Sequence, residues 1–301
     1  MTILDGKKTS EQIKLEIAGE VRQLISDGRK VPHLAAVLVG GDGASQTYVN
    51  SKVKDCEQVG FQSTLIRLEA VINENLLLQT VQEINDNEDI DGIIVQLPLP
   101  DHISVQKVTE RIRPEKDVDG FHPVNVGRMV KGLPGYIAAT PYGIMQLLER
   151  YQVETAGKHC VIIGRSDIVG TPMSILMARK ASPGNCTVTL CHSRTPDIKA
   201  HTLQADIIIA ALGKPGFLTG DMIQEDVVVV DVGITRVPDT TKKRGYALKG
   251  DVDFDTVSSK CSFITPVPGG VGPMTRAALL WNTLQAAKHS FYPSVTKRSK
   301  V

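Results

Sequence analysis

A strong field of one sign is missing from this 301-residue chain: 34 Lys and Arg stand against 33 Asp and Glu, for a net charge of +1. Proteins that hold nucleic acid or lie on a membrane surface need a basic field, so neither partner is expected. Long hydrophobic runs are missing too. The longest apolar stretches, such as Ile207-Ile-Ile-Ala-Ala-Leu212, are strand-sized rather than membrane-spanning. The N-terminal Met1-Thr-Ile-Leu-Asp-Gly-Lys-Lys8 has no apolar signal region, so a soluble, cytoplasmic protein is expected. Cysteine is scarce. Residues 56, 160, 186, 191 and 261 are an odd set without a CxxC pair, which fits reduced thiols better than a secreted disulfide framework. Cys186, Cys191 and His192 lie close in sequence but lack a second cluster, and no metal site is expected. Internal repeats and low-complexity segments are absent, and Lys297-Arg-Ser-Lys300 reads as a solvated basic end.

Against those absences stands an ordinary globular composition, 42% hydrophobic and 22% charged, on a chain long enough for one large or two medium domains. Helical and strand patterns alternate almost throughout, which predicts α/β architecture. Apolar residues at Ile13, Ile17, Val21, Leu24 and Ile25 predict a helix over 10–27. Strands are expected at 33–39, 61–68 and 91–97, with helices at 45–59 and 75–85 between them. Uninterrupted apolar strands between helices imply a parallel sheet covered on both faces. The stretch 114–140, rich in Gly and Pro, reads as an irregular crossover. A helix at 143–151 then opens a second series, with strands at 159–163, 187–191, 206–211 and 226–232. Two α/β domains divided near residue 140 are expected. The first covers 1–140 and is completed by the C-terminal helix, 273–301; the second covers 141–272.

The richest single stretch is Ile264-Thr-Pro-Val-Pro-Gly-Gly-Val-Gly-Pro-Met-Thr275. Proline fixes φ and removes a donor, whereas glycine permits positive φ and close backbone approach. A run that alternates them has a defined shape and little bulk, so main chain can lie flat against a ligand. A turn into the last helix would also explain it, with Pro273 at the first helical position, but such entries need one proline rather than three.

The segment Lys158–Gly164 reads as a strand, followed by Gly164-Arg-Ser-Asp-Ile-Val-Gly170-Thr-Pro172 and a helix over 173–180. Strand, glycine turn and helix together place backbone N–H groups where a pyrophosphate can bind. The spelling departs from GxGxxG: Ser166 replaces the second glycine and the last sits one position later. At the end of the next strand, Cys191-His-Ser-Arg194, no acid is available for a ribose 2′-hydroxyl. Ser193 and Arg194, with Arg165, suit a 2′-phosphate instead, so NADP is favoured over NAD.

In the first domain Tyr48 and Lys52 stand at i and i+4 on a helix and share a face. Such pairs are also common on helix surfaces. Short-chain dehydrogenases use YxxxK after their nucleotide motif; here it precedes that motif by over a hundred residues. Gln96 ends a buried strand, where ligands of open α/β sheets bind. In Pro114-Glu-Lys-Asp-Val-Asp-Gly120 solvation explains most of the acids, and Asp119 is the expected buried recognition carboxylate.

These motifs, Tyr48xxxLys52, Val95-Gln-Leu-Pro-Leu99, Pro114–Gly120, Gly164–Pro172 and Thr265–Thr275, stand in the order found in the bifunctional methylenetetrahydrofolate dehydrogenase/methenyltetrahydrofolate cyclohydrolase family, which the whole chain resembles. The chain's length and the lack of a transit peptide look like the bacterial FolD form. The resemblance implies a folate-binding first domain, a Rossmann-like NADP-binding second domain and a cleft between them. It implies NADP-dependent oxidation of 5,10-methylenetetrahydrofolate to the methenyl form, then hydrolysis to 10-formyltetrahydrofolate, feeding one-carbon metabolism and purine biosynthesis. Lys52 would be the acid/base group, Gln96 its hydrogen-bonded support, Tyr48 a stacking partner of the folate and Asp119 the acceptor of pterin N–H donors. Pro266, Pro268, Gly269 and Gly270 would line the folate. Gly164, Arg165, Ser166, Ser193, Ile234 and Thr275 would lie near NADP. A homodimer is implied as well. The competing expectations are a dehydrogenase without cyclohydrolase activity and a nucleotide-binding module without catalysis.

Overall fold

A computed structural model describes residues 1–41, 43–242 and 245–293. The basic stretch Lys297–Lys300 and the end of the expected first domain lie outside the described residues. In chain order the elements are β1 (Thr2–Ile3), α1 (Gly6–Ser26), β2 (His33–Val39), α2 (Gly43–Val59), β3 (Gln62–Leu68), α3 (Glu74–Asp86), β4 (Gly92–Val95), α4 (Val105–Arg111), α5 (Pro123–Val130) and α6 (Ala139–Arg150). They continue as β5 (His159–Ile163), α7 (Gly170–Ala178), β6 (Thr187–Cys191), α8 (Ile198–Thr202), β7 (Ile207–Ala210), β8 (Val227–Asp231), β9 (Thr235–Pro238), β10 (Tyr246–Lys249), α9 (Phe254–Val257), β11 (Cys261–Ile264) and α10 (Val271–Ala287). None of the described helices is long and apolar enough to cross a membrane.

The chain forms two compact units, one of residues 12–139 with 278 onward and one of residues 1–11 with 140–277. Their boundaries fall inside α1, α6 and α10. The first unit holds a parallel sheet in the order β3-β2-β4. Its central strand β2 is apolar from Leu34 to Val39, and Val37 lies in register with both Ile66 and Val95. Leu77 and Val81 of α3 pack against this sheet with Val108 of α4. Within the same unit the Asn282 side chain of α10 donates to the carbonyls of Val118 (2.8 Å) and Ile137 (3.0 Å).

The second unit holds a parallel sheet in the order β6-β5-β7-β8-β11-β1. The first two strands of its βα series are neighbours, and the third crosses to the other side of β5, the reversal that defines a switch point. Residues 159–163, 207–210 and 227–231 are almost wholly buried, as strands covered on both faces must be. The antiparallel hairpin β9–β10 interrupts the series.

Three readings of the sequence need correction. The stretch 114–140 is not wholly irregular. It contains α5, whose N-cap His122 accepts the Val124 N–H through Nδ1 and whose first residue is Pro123. The last helix begins at Val271, so Pro273 is its third residue, still within the turn that needs no intrahelical N–H donors. And Thr2–Ile3, too short to show any periodicity, is a strand of the second unit's sheet.

Candidate active site

Four positions of α2 explain where Lys52 stands. Val49, Lys52, Cys56 and Val59 are buried at helical spacing, so the lysine occupies the face that the helix turns toward the core. Only 7% of Lys52 remains exposed. Its stem is covered, and its Nζ donates to Gln96 Oε1 at 3.2 Å and lies 5.0 Å from the centre of the Tyr48 ring. Burial lowers the lysine's pKa below its ordinary value, because a charge is costly where water is excluded; the Asp119 carboxylate opposes that shift. Gln96 comes from the end of β4, where its N–H still pairs with the Val37 carbonyl at 2.9 Å, and its Nε2 donates to the Leu97 carbonyl at 2.7 Å.

The acidic turn hangs from the same strand. Ile93 N–H bonds to the Lys116 carbonyl at 2.8 Å. Gly92 leaves the space that Val118 fills, since a Cβ at that glycine would come within 2.7 Å of the valine. Asp119 is half-buried rather than sealed, and burial raises its pKa while the Lys52 charge lowers it. Gly120 sits at φ +75°, with a virtual Cβ 2.6 Å from the Ala138 nitrogen, so the turn accepts only glycine there.

Solvation does not explain Asp117. This carboxylate is 1% exposed and accepts hydrogen bonds from Phe121 N (3.2 Å), His122 N (2.8 Å) and Asn125 Nδ2 (2.8 Å). Burial pushes its pKa up to about 7 against the pull of those donors. Sequence reasoning missed its role. The signal was present in the short offset from Asp117 to the N-cap of α5.

The second unit offers a pocket of about 280 Å³ at the ends of β5, β6 and β7. Gly164, Arg165, Ser166 and Ser193 line it, as the motif suggests, joined by His192, Leu212, Lys214 and Phe217. Gly164 and Gly170 are required by contact. A Cβ at Gly164 would meet the Ala211 carbonyl, and one at Gly170 the Gly164 carbonyl. Ser166 adds a feature that the spelling concealed: its Oγ accepts the N–H groups of Val169 (3.2 Å), the residue before α7, and of Gly170 (3.5 Å), its first residue.

Arg194, Ile234 and Thr275 do not line this pocket. Arg194 is exposed, its backbone N–H donating to His192 Nδ1 at 3.2 Å. Ile234 is 51% exposed at the entry to β9, and the Thr275 hydroxyl lies 3.0 Å from that of Thr140. In the Gly/Pro loop, which belongs to the second unit, the Gly269 carbonyl accepts from Lys7 N at 2.8 Å. A Cβ at Gly6 would collide with the Gly270 carbonyl, so the start of α1 packs directly on the loop's backbone. Pro266 and Gly269 are half-buried, Pro268 exposed and Gly270 buried. Tyr48, Lys52, Gln96 and Asp119 all belong to the first unit.

A dinucleotide phosphate fits the pocket's donor set: of the residues lining it, Arg165 and Lys214 are cationic, Ser166 and Ser193 are hydroxylic, and none is Asp or Glu. Comparison with known proteins agrees with both halves of the geometry. The catalytic-domain model of tetrahydrofolate dehydrogenase/cyclohydrolase matches residues 4–119, and the NAD(P)-binding-domain model of the same enzymes matches residues 138–291. A "Bifunctional protein FolD" from Cytophaga hutchinsonii is 65% identical over 95% of this chain and 99% of its own. The crystal structure of a FolD methylenetetrahydrofolate dehydrogenase/cyclohydrolase from Campylobacter jejuni superimposes with a TM-score of 0.90 at 48% identity, covering 96% of this chain and 99% of that one. A Trypanosoma brucei methylenetetrahydrofolate dehydrogenase-cyclohydrolase, complexed with NADP and inhibitor, gives 0.91 at 38% identity, covering 96% and 98%.

Proposed function

The chain belongs to the tetrahydrofolate dehydrogenase/cyclohydrolase family and is a bifunctional, NADP-dependent enzyme of one-carbon metabolism; we propose that Lys52, held by Gln96, serves the first of its reactions by not opposing the positive charge that forms and carries the proton chemistry of the second. In the first, 5,10-methylenetetrahydrofolate is oxidised to the methenyl cation. In the second, water adds to that cation and the ring opens to 10-formyltetrahydrofolate. Bound NADP⁺ supplies the hydride acceptor for the first reaction.

The observation that carries this reading is a lysine sealed from water yet met by an amide oxygen and an aromatic face. Oxidation leaves positive charge on the substrate, and a permanent ammonium beside it would oppose that step through Coulomb repulsion. Desolvation lowers the pKa of Lys52 and so favours its neutral form relative to an exposed lysine. In the second reaction the neutral amine takes a proton as water oxygen bonds to the methenyl carbon. It returns that proton to N5 of the folate as the carbon–N5 bond breaks, so the net yield is the formyl product and one proton. Gln96 keeps the amine in place, and Tyr48 offers a ring face to the folate. Asp119 accepts the pterin amino and ring N–H donors, while Pro266, Pro268, Gly269 and Gly270 present backbone to the ligand.

On the cofactor side, Arg165, Ser193 and Arg194 would hold the 2′-phosphate, Gly164 and Ser166 the pyrophosphate, and Ile234 and Thr275 the nicotinamide end. The unit of residues 12–139 is then the folate-binding catalytic domain, and that of 140–277 the NADP-binding domain. We place the protein in the cytoplasm, in keeping with five free thiols, all buried. A homodimer is expected, to be checked by light scattering. The central test is Lys52→Met, which should abolish hydrolysis of methenyltetrahydrofolate while NADP binding is retained. Hydrolysis above background in that variant would overturn the role.

A further inference from the structure

The anion-binding chemistry of the second unit's pocket has one contributor that the glycine motif does not reveal. We propose that Lys214, from the loop after β7, is a specificity-determining residue for the 2′-phosphate of NADP, acting with Arg165 of the loop after β5; this rests on the assignment of the pocket to NADP.

Three loops converge on the pocket, following β5, β6 and β7, and β5 lies between the other two. The β5 loop brings Arg165 and Ser166, the β6 loop His192 and Ser193, and the β7 loop Leu212 and Lys214. In this family of folds the end of the second strand meets the adenosine ribose. Here that position carries Ser193 and no acid, so a phosphate is admitted and a bare 2′-hydroxyl gains no carboxylate partner. A serine alone does not neutralise a phosphate dianion. Among the described residues, no ion pair engages Arg165 or Lys214, so neither charge is spent on a protein carboxylate.

The backbone donors offer less than the motif promises. Ser166 Oγ already occupies the N–H groups of Val169 and Gly170, which the standard motif would aim at phosphate. Those N–H groups face the pyrophosphate in this fold, so charge recognition at the 2′-phosphate falls to side chains. Lys214 is well placed for that because its main chain is fixed while its side chain is exposed. Asp251 Oδ2 accepts from Leu212 N (2.7 Å) and Gly213 N (2.9 Å), just before the lysine. Gly216 N donates to the Gly250 carbonyl at 3.0 Å just after it. Gly213 and Gly216 sit at φ +69° and +68°, so the loop turns sharply on both sides. An ordered loop presenting a flexible cation suits a charge placed at the rim of a pocket.

Binding of 2′,5′-ADP and of 5′-ADP to the full-length protein, measured by titration calorimetry, tests this without catalysis. Wild type should prefer the 2′-phosphorylated ligand; no preference would sink the NADP assignment of the pocket itself. Given that preference, Lys214→Gln should weaken 2′,5′-ADP about tenfold, as loss of a charge-assisted contact does, and leave 5′-ADP nearly unchanged. Lys214→Arg should restore the preference. Equal weakening of both ligands would place Lys214 on the shared part of the nucleotide and overturn the proposal, as would an unchanged preference. An unaltered circular dichroism melt shows that the loop's fold is intact.

Discussion

Gln96 holds Lys52 by an amide whose orientation is settled at both ends. Its Nε2 faces the Leu97 carbonyl at 2.7 Å, which can only accept, and this leaves Oε1 toward Lys52 Nζ at 3.2 Å. An acceptor there serves the lysine in either protonation state, since both the amine and the ammonium keep N–H to donate. The glutamine therefore fixes position without fixing charge, which a carboxylate in its place would not do.

Replacing Gln96 by Glu should expose that distinction. A carboxylate beside Lys52 favours the ammonium, and hydrolysis of methenyltetrahydrofolate at pH 7 should fall by at least about tenfold, the cost of a one-unit change in the pKa of a needed base. Part of the loss should return as pH is raised. Following the disappearance of methenyl absorbance across pH checks both points; a pH-independent loss would mean that only geometry was damaged.

Asp119 raises the pKa of Lys52 while burial lowers it, the second effect being the larger. Asp119→Asn should therefore move the basic group's apparent pKa in the hydrolysis profile further down. It should also weaken folate binding, because an acceptor pair becomes partly a donor. The pH–rate profile reads the first effect and ligand titration the second.

Asp117 makes a stability prediction with a definite sign. Its folded pKa, about 7, lies above its unfolded value, so its contribution is fully present below about pH 4 and is lost as pH rises toward 7. Asp231, buried and raised to about 6, acts in the same direction. In Asp117→Asn the first contribution disappears. The stability advantage of wild type over the variant should shrink between pH 4 and pH 7, by at most about 1.4 kcal/mol per pH unit. Urea unfolding at several pH values measures this, and a gap that widens with pH would refute it.

Gly170→Ala places a methyl against the Gly164 carbonyl. The turn between β5 and α7 must open to admit it. A loss of several kcal/mol, on the order of the large values that strained or overpacked sites show, is expected together with loss of NADP affinity. Thermal melts with and without NADP separate the two. A variant that melts and binds like wild type would show that this turn has slack.

Much of the architecture was legible because strands buried on both faces carry continuous apolar runs. His33–Val39 and His159–Ile163 begin and end where their residues predict, and so does the edge strand Thr187–Cys191, which is mostly half-buried. The helices α4 and α5 were harder to see. They are short, and α5 starts at a proline inside a stretch whose glycines and prolines suggest only turns. Tyr48 and Lys52 could be paired by helical spacing alone.

Nothing local brings Gln96 to Lys52, 44 residues away; the pairing of β4 with β2 does that. The same holds for Asp117, whose burial depends on Asn125 and the backbone at 121 and 122, and for Lys214, which no spacing ties to Arg165. The sequence by itself determined the α/β class, the parallel strands and the residue types of the site, since periodicity and glycine–proline chemistry are local. Only the tertiary structure decided which charges are cut off from water and which meet in one pocket, because desolvation and proximity depend on residues far apart in the chain.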